Sequence, residues 1–112
     1  MKLLIVGSRS ITYYPLEDEV PSDTELIISG GARGVDTLAE RYADSHGIEK
    51  LIIKPDYKKY GRRAPLIRNE EMVDICDKVL VIWDGVSTGT AYTVNYAKNH
   101  GKEIMLINLS ER

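Results

Sequence analysis

The chain has 112 residues, of which 43% are hydrophobic and 29% charged, a globular mixture and not a disordered one. Fifteen basic against seventeen acidic residues leave a net charge of -2, which argues against a strongly cationic nucleic-acid or membrane binder. A lone cysteine excludes a disulfide framework and a cysteine-built zinc site.

That length predicts one domain over 1–112, with about 6,200 Å² of folded surface. After Lys2 only four apolar residues follow in a row, too few for a signal peptide. No run approaches membrane-spanning length. The expectation is a cytoplasmic protein with no membrane partner.

Five short apolar runs punctuate the chain, at 3–6, 26–28, 51–53, 79–83 and 104–107, and each follows a charged residue. Their starts lie 23, 25, 28 and 25 residues apart. Continuous runs suit strands buried on both faces, and the spacing leaves room for one crossover each time. The expected fold is α/β: a Rossmann-like, doubly wound, parallel five-stranded sheet with helices on both faces.

In chain order, the first run leads into Gly7, Ser8 and Arg9. The first crossover is short. Only 15–20 can be helical, with Pro15 at its first position and Pro21 stopping it. The second run leads into Ser29, Gly30, Gly31, Ala32, Arg33, Gly34, Val35 and Asp36. A helix then carries Val35, Leu38, Ala39, Tyr42 and Ala43 on one face. It ends in His46 and Gly47, and the last helix ends the same way in His100 and Gly101. Both histidines read as helix-end caps. Residues 54–63 mix five cations with two tyrosines, as a solvated loop, a closure over an anionic ligand or a nucleic-acid contact. The next helix has the stripe Pro65, Arg68, Asn69, Met72, Val73 and Cys76, with Cys76 read as a buried small hydrophobe. Leu66 and Ile67, and Tyr92 and Tyr96 on the last helix, fall off their core stripes. They suggest an apolar partner face, most simply that of a homodimer.

A doubly wound sheet binds ligands beyond the carboxyl ends of its strands, so the loops after the runs carry the chemistry. The three glycines of 29–36 stand between a strand and a helix. There they favour a phosphate on free amides, with Arg33 as a forked donor. Asp36 either stabilises the helix end or receives a ribose hydroxyl. In 84–90, Ser87, Thr88 and Thr90 offer hydroxyls, while Gly85 and Gly89 allow close approach. Ser87 or Thr88 serves equally as an N-cap. Asp84 is a base, a ribose acceptor or a solvated turn residue. Arg68 and Asn69 fall in a first helical turn at the rim of the crevice, for a ligand or for internal hydrogen bonds. Arg68, Asp84 and Asp36 are the candidate catalytic set. Neither the P-loop pattern nor the dinucleotide fingerprint occurs. No metal-ligand set and no cofactor motif stands out.

Taken together, Gly7-Ser8-Arg9, the block from Ser29 to Asp36, Arg68-Asn69-x-x-Met72, Trp83-Asp84-Gly85 and Ser87-Thr88-Gly89-Thr90 resemble the SLOG superfamily. Within it the chain is most similar to the small members known as DUF2493. The resemblance implies a Rossmann-like fold and a pocket for a nucleotide or phosphorylated ribose. It extends to the DNA-processing protein A core and to phosphoribohydrolases of the "lonely guy" type. Those hydrolases carry Pro-Gly-Gly-x-Gly-Thr-x-x-Glu. Here Gly89 and Thr90 supply the Gly-Thr, Thr93 stands at the glutamate position, and Arg68 matches their arginine. Three functions follow in order of preference: a module binding a small phosphorylated, nucleotide-like ligand; a hydrolase of an N-glycosidic or phosphate bond; a single-stranded nucleic-acid binder.

Overall fold

The apolar runs become one parallel sheet, in a computed structural model that describes residues 1–111. The strands are β1 (Lys2–Gly7), β2 (Leu26–Ser29), β3 (Glu49–Ile52), β4 (Lys78–Trp83) and β5 (Glu103–Asn108). They lie in the order β3-β2-β1-β4-β5, every neighbouring pair parallel. The charged residue before a run joins the strand in β1, β4 and β5, because backbone pairing is indifferent to the side chain. Lys78 and Glu103 pair in register and form an ion pair of 2.8 Å.

β3 departs from the expected 51–53. It starts at Glu49 and stops at Ile52. It is an edge strand whose first three residues are exposed, so burial does not mark its start.

Four α-helices connect the strands: α1 (Val35–Ser45), α2 (Tyr57–Tyr60), α3 (Ala64–Ile75) and α4 (Thr88–Asn99). Side chains alternate across the central strands. Leu3, Ile5, Leu80 and Ile82 pack with Val35, Ala39 and Ala43 of α1 and with Ile11 and Leu16. Leu4, Val6, Val79 and Val81 pack on the other face with Met72 and Val73 of α3 and Val94 and Ala97 of α4. Crossovers after β1 and β2 thus run on one face and those after β3 and β4 on the other. The winding reverses between β1 and β4, where such folds open a crevice.

The expected helix at 15–20 is a single 3-10 turn, Leu16–Asp18, with Pro15 before it. Leu16 alone of that turn is buried, too little apolar surface to hold a longer helix. Residues 54–63 are more ordered than a loop. Asp56 caps α2 by accepting the Lys59 N–H at 3.1 Å, and a 3-10 turn, Gly61–Arg63, leads into α3.

Both histidines close their helices. His46 Nδ1 lies 3.0 Å from the Tyr42 carbonyl, with the rings stacked at 3.9 Å. His100 repeats this on Tyr96 at 2.8 and 4.0 Å. Tyr92 and Tyr96, off the core stripe, tie α4 to α3 by donating to Glu70 and Asp74. The bond to Asp74 pushes the Tyr96 hydroxyl up to about 12. A helix beside both a sheet and a second helix needs two contact faces, and a single stripe describes only one. Among the described residues, no helix is long and apolar enough to cross a membrane.

Candidate functional site

The loops after β1, β2 and β4 and the first turn of α3 surround a cleft of about 790 Å³ at the carboxyl edge of the sheet, within the size range of ligand sites. Gly7, Ser8 and Arg9, Arg33 and Asp36, Arg68 and Asn69, Asp84, and the stretch Ser87, Thr88, Gly89 and Thr90 all line it. Gly30 and Gly31 face an adjoining compartment. Ser29, Gly34 and Gly85 lie outside both linings.

Those three residues build the walls. Ser29 is fully buried beneath the second loop and donates to Glu40 Oε2 at 3.3 Å. Gly34, at φ 77°, brings α1 against the first loop, where an added Cβ would lie 2.5 Å from the Ser8 carbonyl oxygen. Gly85 is left-handed at φ 87°, and a Cβ there would meet Ser110 Oγ at 2.4 Å. Gly30 packs so closely under Arg68 and Asp36 that a Cβ would lie within 2.9 Å of both side chains. Most of these glycines admit protein backbone and side chains, not a ligand.

The amides expected to cradle a phosphate shift accordingly. Within 30–34, Gly31 N–H donates to Ser29 Oγ at 3.4 Å and Ala32 N–H to Asp36 Oδ2 at 3.1 Å. At the start of α4 the position is the reverse. Ser87 precedes the helix without a side-chain cap. Among the described residues, the amides of Thr88, Gly89 and Thr90 have no protein acceptor, and the first helical bond runs from Ala91 N–H to Ser87. Free first-turn amides and the helix dipole together favour an anion.

Asp84 is consumed by the turn that presents those amides. Its Oδ1 accepts from the Val86 and Ser87 N–H groups at 2.9 and 2.8 Å, and its Oδ2 from Ser10 and Ser87 hydroxyls at 2.8 and 2.9 Å. The Val86 N–H foremost, with Ser87 and Ser10, holds its carboxyl well below the usual carboxylate range. A carboxylate so satisfied is a weak base and a scaffold. Ser8 joins the same corner. Its hydroxyl accepts the Asp84 N–H at 2.9 Å, and its carbonyl accepts Val35 N–H at 3.3 Å.

Arg68 is buried at 7% exposure and clamps two strand ends. Nη1 donates to the Gly30 carbonyl and, at 3.4 Å, to that of Ile53, while Nε donates to Asn69 Oδ1 at 2.7 Å. Among the described residues nothing accepts from Nη2. Asn69 passes the chain on to Thr93 Oγ1 at 2.9 Å, and Thr93 donates to the Gly89 carbonyl at 3.0 Å. Arg68 thus serves internal bonding and still borders the cleft. Burial lowers its pKa, against the opposing charge of Asp36. Burial raises Asp36, partly offset by the Ala32 N–H and by Arg68. Among the described residues, Asp36 is the one carboxyl of the cleft wall not saturated by donors.

The sequence reading missed Thr12, Pro65 and Leu66 as cleft residues. Leu66, expected on a partner face, lies in a first turn that overhangs the strand ends. The same argument that placed Arg68 and Asn69 there applied to it.

Comparison with known proteins agrees with this geometry. Residues 16–60 match the YAcAr family, described as the YspA, cpYpsA-related SLOG family. The Gene 61 protein of Mycobacterium phage D29 is 29% identical over 127 aligned positions, covering 99% of this chain and 98% of that protein. The X-ray structure of DNA processing protein A (DprA) from Streptococcus pneumoniae superposes with a TM-score of 0.68 at 20% identity. That match covers 94% of this chain but 49% of the DprA chain, so the chain spans about half of that protein and shares its fold. Residues 16–60 are thus similar to a SLOG family, and the chain as a whole shares the fold of DprA.

Proposed function

We propose that the cleft binds a small phosphorylated, nucleotide-like ligand, as a sensor or carrier module. The observation that carries this reading is the set of open amides at Thr88, Gly89 and Thr90, facing Arg9, Arg33 and Arg68 across one cleft. The match of residues 16–60 to a SLOG family supports a nucleotide-related role in general. A thermal-shift panel of nucleoside monophosphates, ADP-ribose, NAD and ribose phosphates tests it. A ligand at 100 times its dissociation constant adds about 2.7 kcal/mol of stability. No shift with any of them at millimolar concentration overturns the reading.

A second reading, hydrolysis of an N-glycosidic or phosphate bond, draws on Asp36. Its carboxyl borders the cleft, and burial raises its pKa. Asp84 is too well bonded for that work, and Thr93 at the hydrolases' glutamate position is buried and hydrogen-bonded. Product analysis after incubation with nucleoside monophosphates decides it. Turnover that survives Asp36→Asn removes Asp36 from the role.

A further inference from the structure

β5 ends the sheet, with β4 as its one strand neighbour among the described residues. Apart from the ladder to β4, no backbone–backbone bond among the described residues involves 103–108. An open edge of this kind recruits a further strand unless the sequence blunts it with charge, proline, a bulge or brevity. β3, at the opposite edge, is blunted twice. It is four residues long and opens with Glu49 and Lys50. β5 has none of these devices along its middle. It is six residues long, pairs with β4 residue for residue from Glu103 to Asn108, and carries Ile104, Met105, Leu106 and Ile107 in sequence. Leu106 stands 44% exposed, and the other three are half-buried.

Symmetry and charge select what covers this edge. A second copy added around a two-fold axis runs antiparallel to β5, and each face of the sheet meets itself. Met105 and Ile107 then stand opposite their own kind on the α1 face. Ile104 and, by alternation, Leu106 do so on the face of α3 and α4. The one charge of the strand, Glu103, sits at its first position. An antiparallel copy carries its own Glu103 to the far end, and Lys78 neutralises each from within its own sheet at 2.8 Å. The edge is therefore complementary to itself and offers no charge by which a foreign strand would be selected. Six paired residues span about 20 Å. In a molecule whose shortest extent is 27 Å, that edge with its flanking layers covers about 1,000 Å² over both copies, the lower limit for a specific interface. That area suits a reversible dimer.

We infer that two copies of the chain join β5 to β5 around a two-fold axis, making one continuous ten-stranded sheet. The two clefts then open at opposite ends of the shared sheet, so the assembly does not depend on the ligand reading.

Sedimentation equilibrium of the whole chain, from micromolar to near-millimolar concentration, tests this. Wild type passes from monomer to dimer and stops there, because the axis closes. Leu106→Lys and Leu106→Glu, each alone, weaken dimerisation at least about tenfold by setting like charges against each other near the axis. An equimolar mixture of the two variants dimerises again. Leu51→Lys, on the β3 edge and at a residue 40% exposed, leaves the dimer unchanged. A chain that stays monomeric throughout overturns the inference. So do a dimer that survives both Leu106 variants, a mixture that fails to associate, a dimer lost with Leu51→Lys, and an assembly that grows past two. Hydrogen exchange on the wild type needs no substitution: the amides of 103–108 slow as concentration rises, and exchange there that ignores concentration overturns pairing at this edge.

Discussion

Two carboxylates of the cleft face opposite pH responses. Asp84 has a folded pKa held below its unfolded value by donated hydrogen bonds. Its contribution is therefore present above the unfolded pKa of about 3.9 and lost as pH falls through the folded value. Asp84→Asn should flatten the acid limb of stability below about pH 4, and Asp84→Ala should cost about 1–2 kcal/mol at neutral pH, the scale of a lost helix cap. Denaturant melts between pH 2 and 7 measure both. Asp36 is raised by burial, so its ionised form opposes folding at neutral pH, and that cost vanishes below the unfolded pKa. Asp36→Asn, which keeps an acceptor for Ala32 N–H, should be more stable than wild type at pH 7 and should lose that advantage on acidification. Cys76 is 2% exposed, and burial raises its thiol. It should stay unmodified by a thiol reagent in the native state and react only in denaturant. What the sequence left open at this scale was direction. Ser29 shares the parity of Ile27 in β2, and Ile27 belongs to the α1 face. Strand alternation therefore sends Ser29 under the helix, although its place at a strand end marks it as a ligand contact.

At the level of loops and helix ends, the glycines divide into two kinds that look alike in sequence. A Cβ on Gly7 would lie 2.1 Å from the Ile82 carbonyl oxygen and 2.6 Å from Val35 Cγ2. Both belong to buried residues, so Gly7→Ala forces the β1–β4 pair or α1 to move. It should cost about 3 kcal/mol, the upper range of overpacking, read as a lowered melting temperature. Gly89 is the opposite case, with nothing within 4 Å of an added Cβ and the cleft beside it. Gly89→Ala adds a helix-favouring residue to α4, worth at most about 1 kcal/mol. It also places a methyl group among the open amides. It should melt no lower than wild type and bind any cleft ligand more weakly. Unchanged affinity in Gly89→Ala would mean that ligand does not sit on the α4 amides. Strand–glycine–helix order was enough to locate the loops, because turns need glycine wherever they lie. It could not say which amides stay open. That depends on side chains such as Asp36 and Ser29 folding back onto their own loop.

The whole sheet follows from five apolar runs at crossover spacing, and the site's place follows from where the winding reverses. The spacing does not encode strand order, since a crossover can step to either side of its strand. Here β1 takes the centre and β2 and β4 flank it; β1 and β4 each have four fully or nearly fully buried residues in a row, whereas β3 at the edge is exposed along most of its length. Amides in the central strands are shielded on both faces and paired on both edges, so they open only when the whole molecule unfolds. Hydrogen exchange followed by mass spectrometry should show β1 and β4 as the slowest segments, with β3 faster by more than an order of magnitude. A cleft ligand should add protection at 84–91 and 8–10, where the open amides of α4 and the Ser8 and Ser10 corner converge. β3 lies away from that corner and should gain only what global stabilisation confers. Equal protection of β3 and β1 without ligand would mean that the edge is covered by another chain in solution. Added protection confined to β3 would move the ligand to the opposite side of the sheet from the winding reversal.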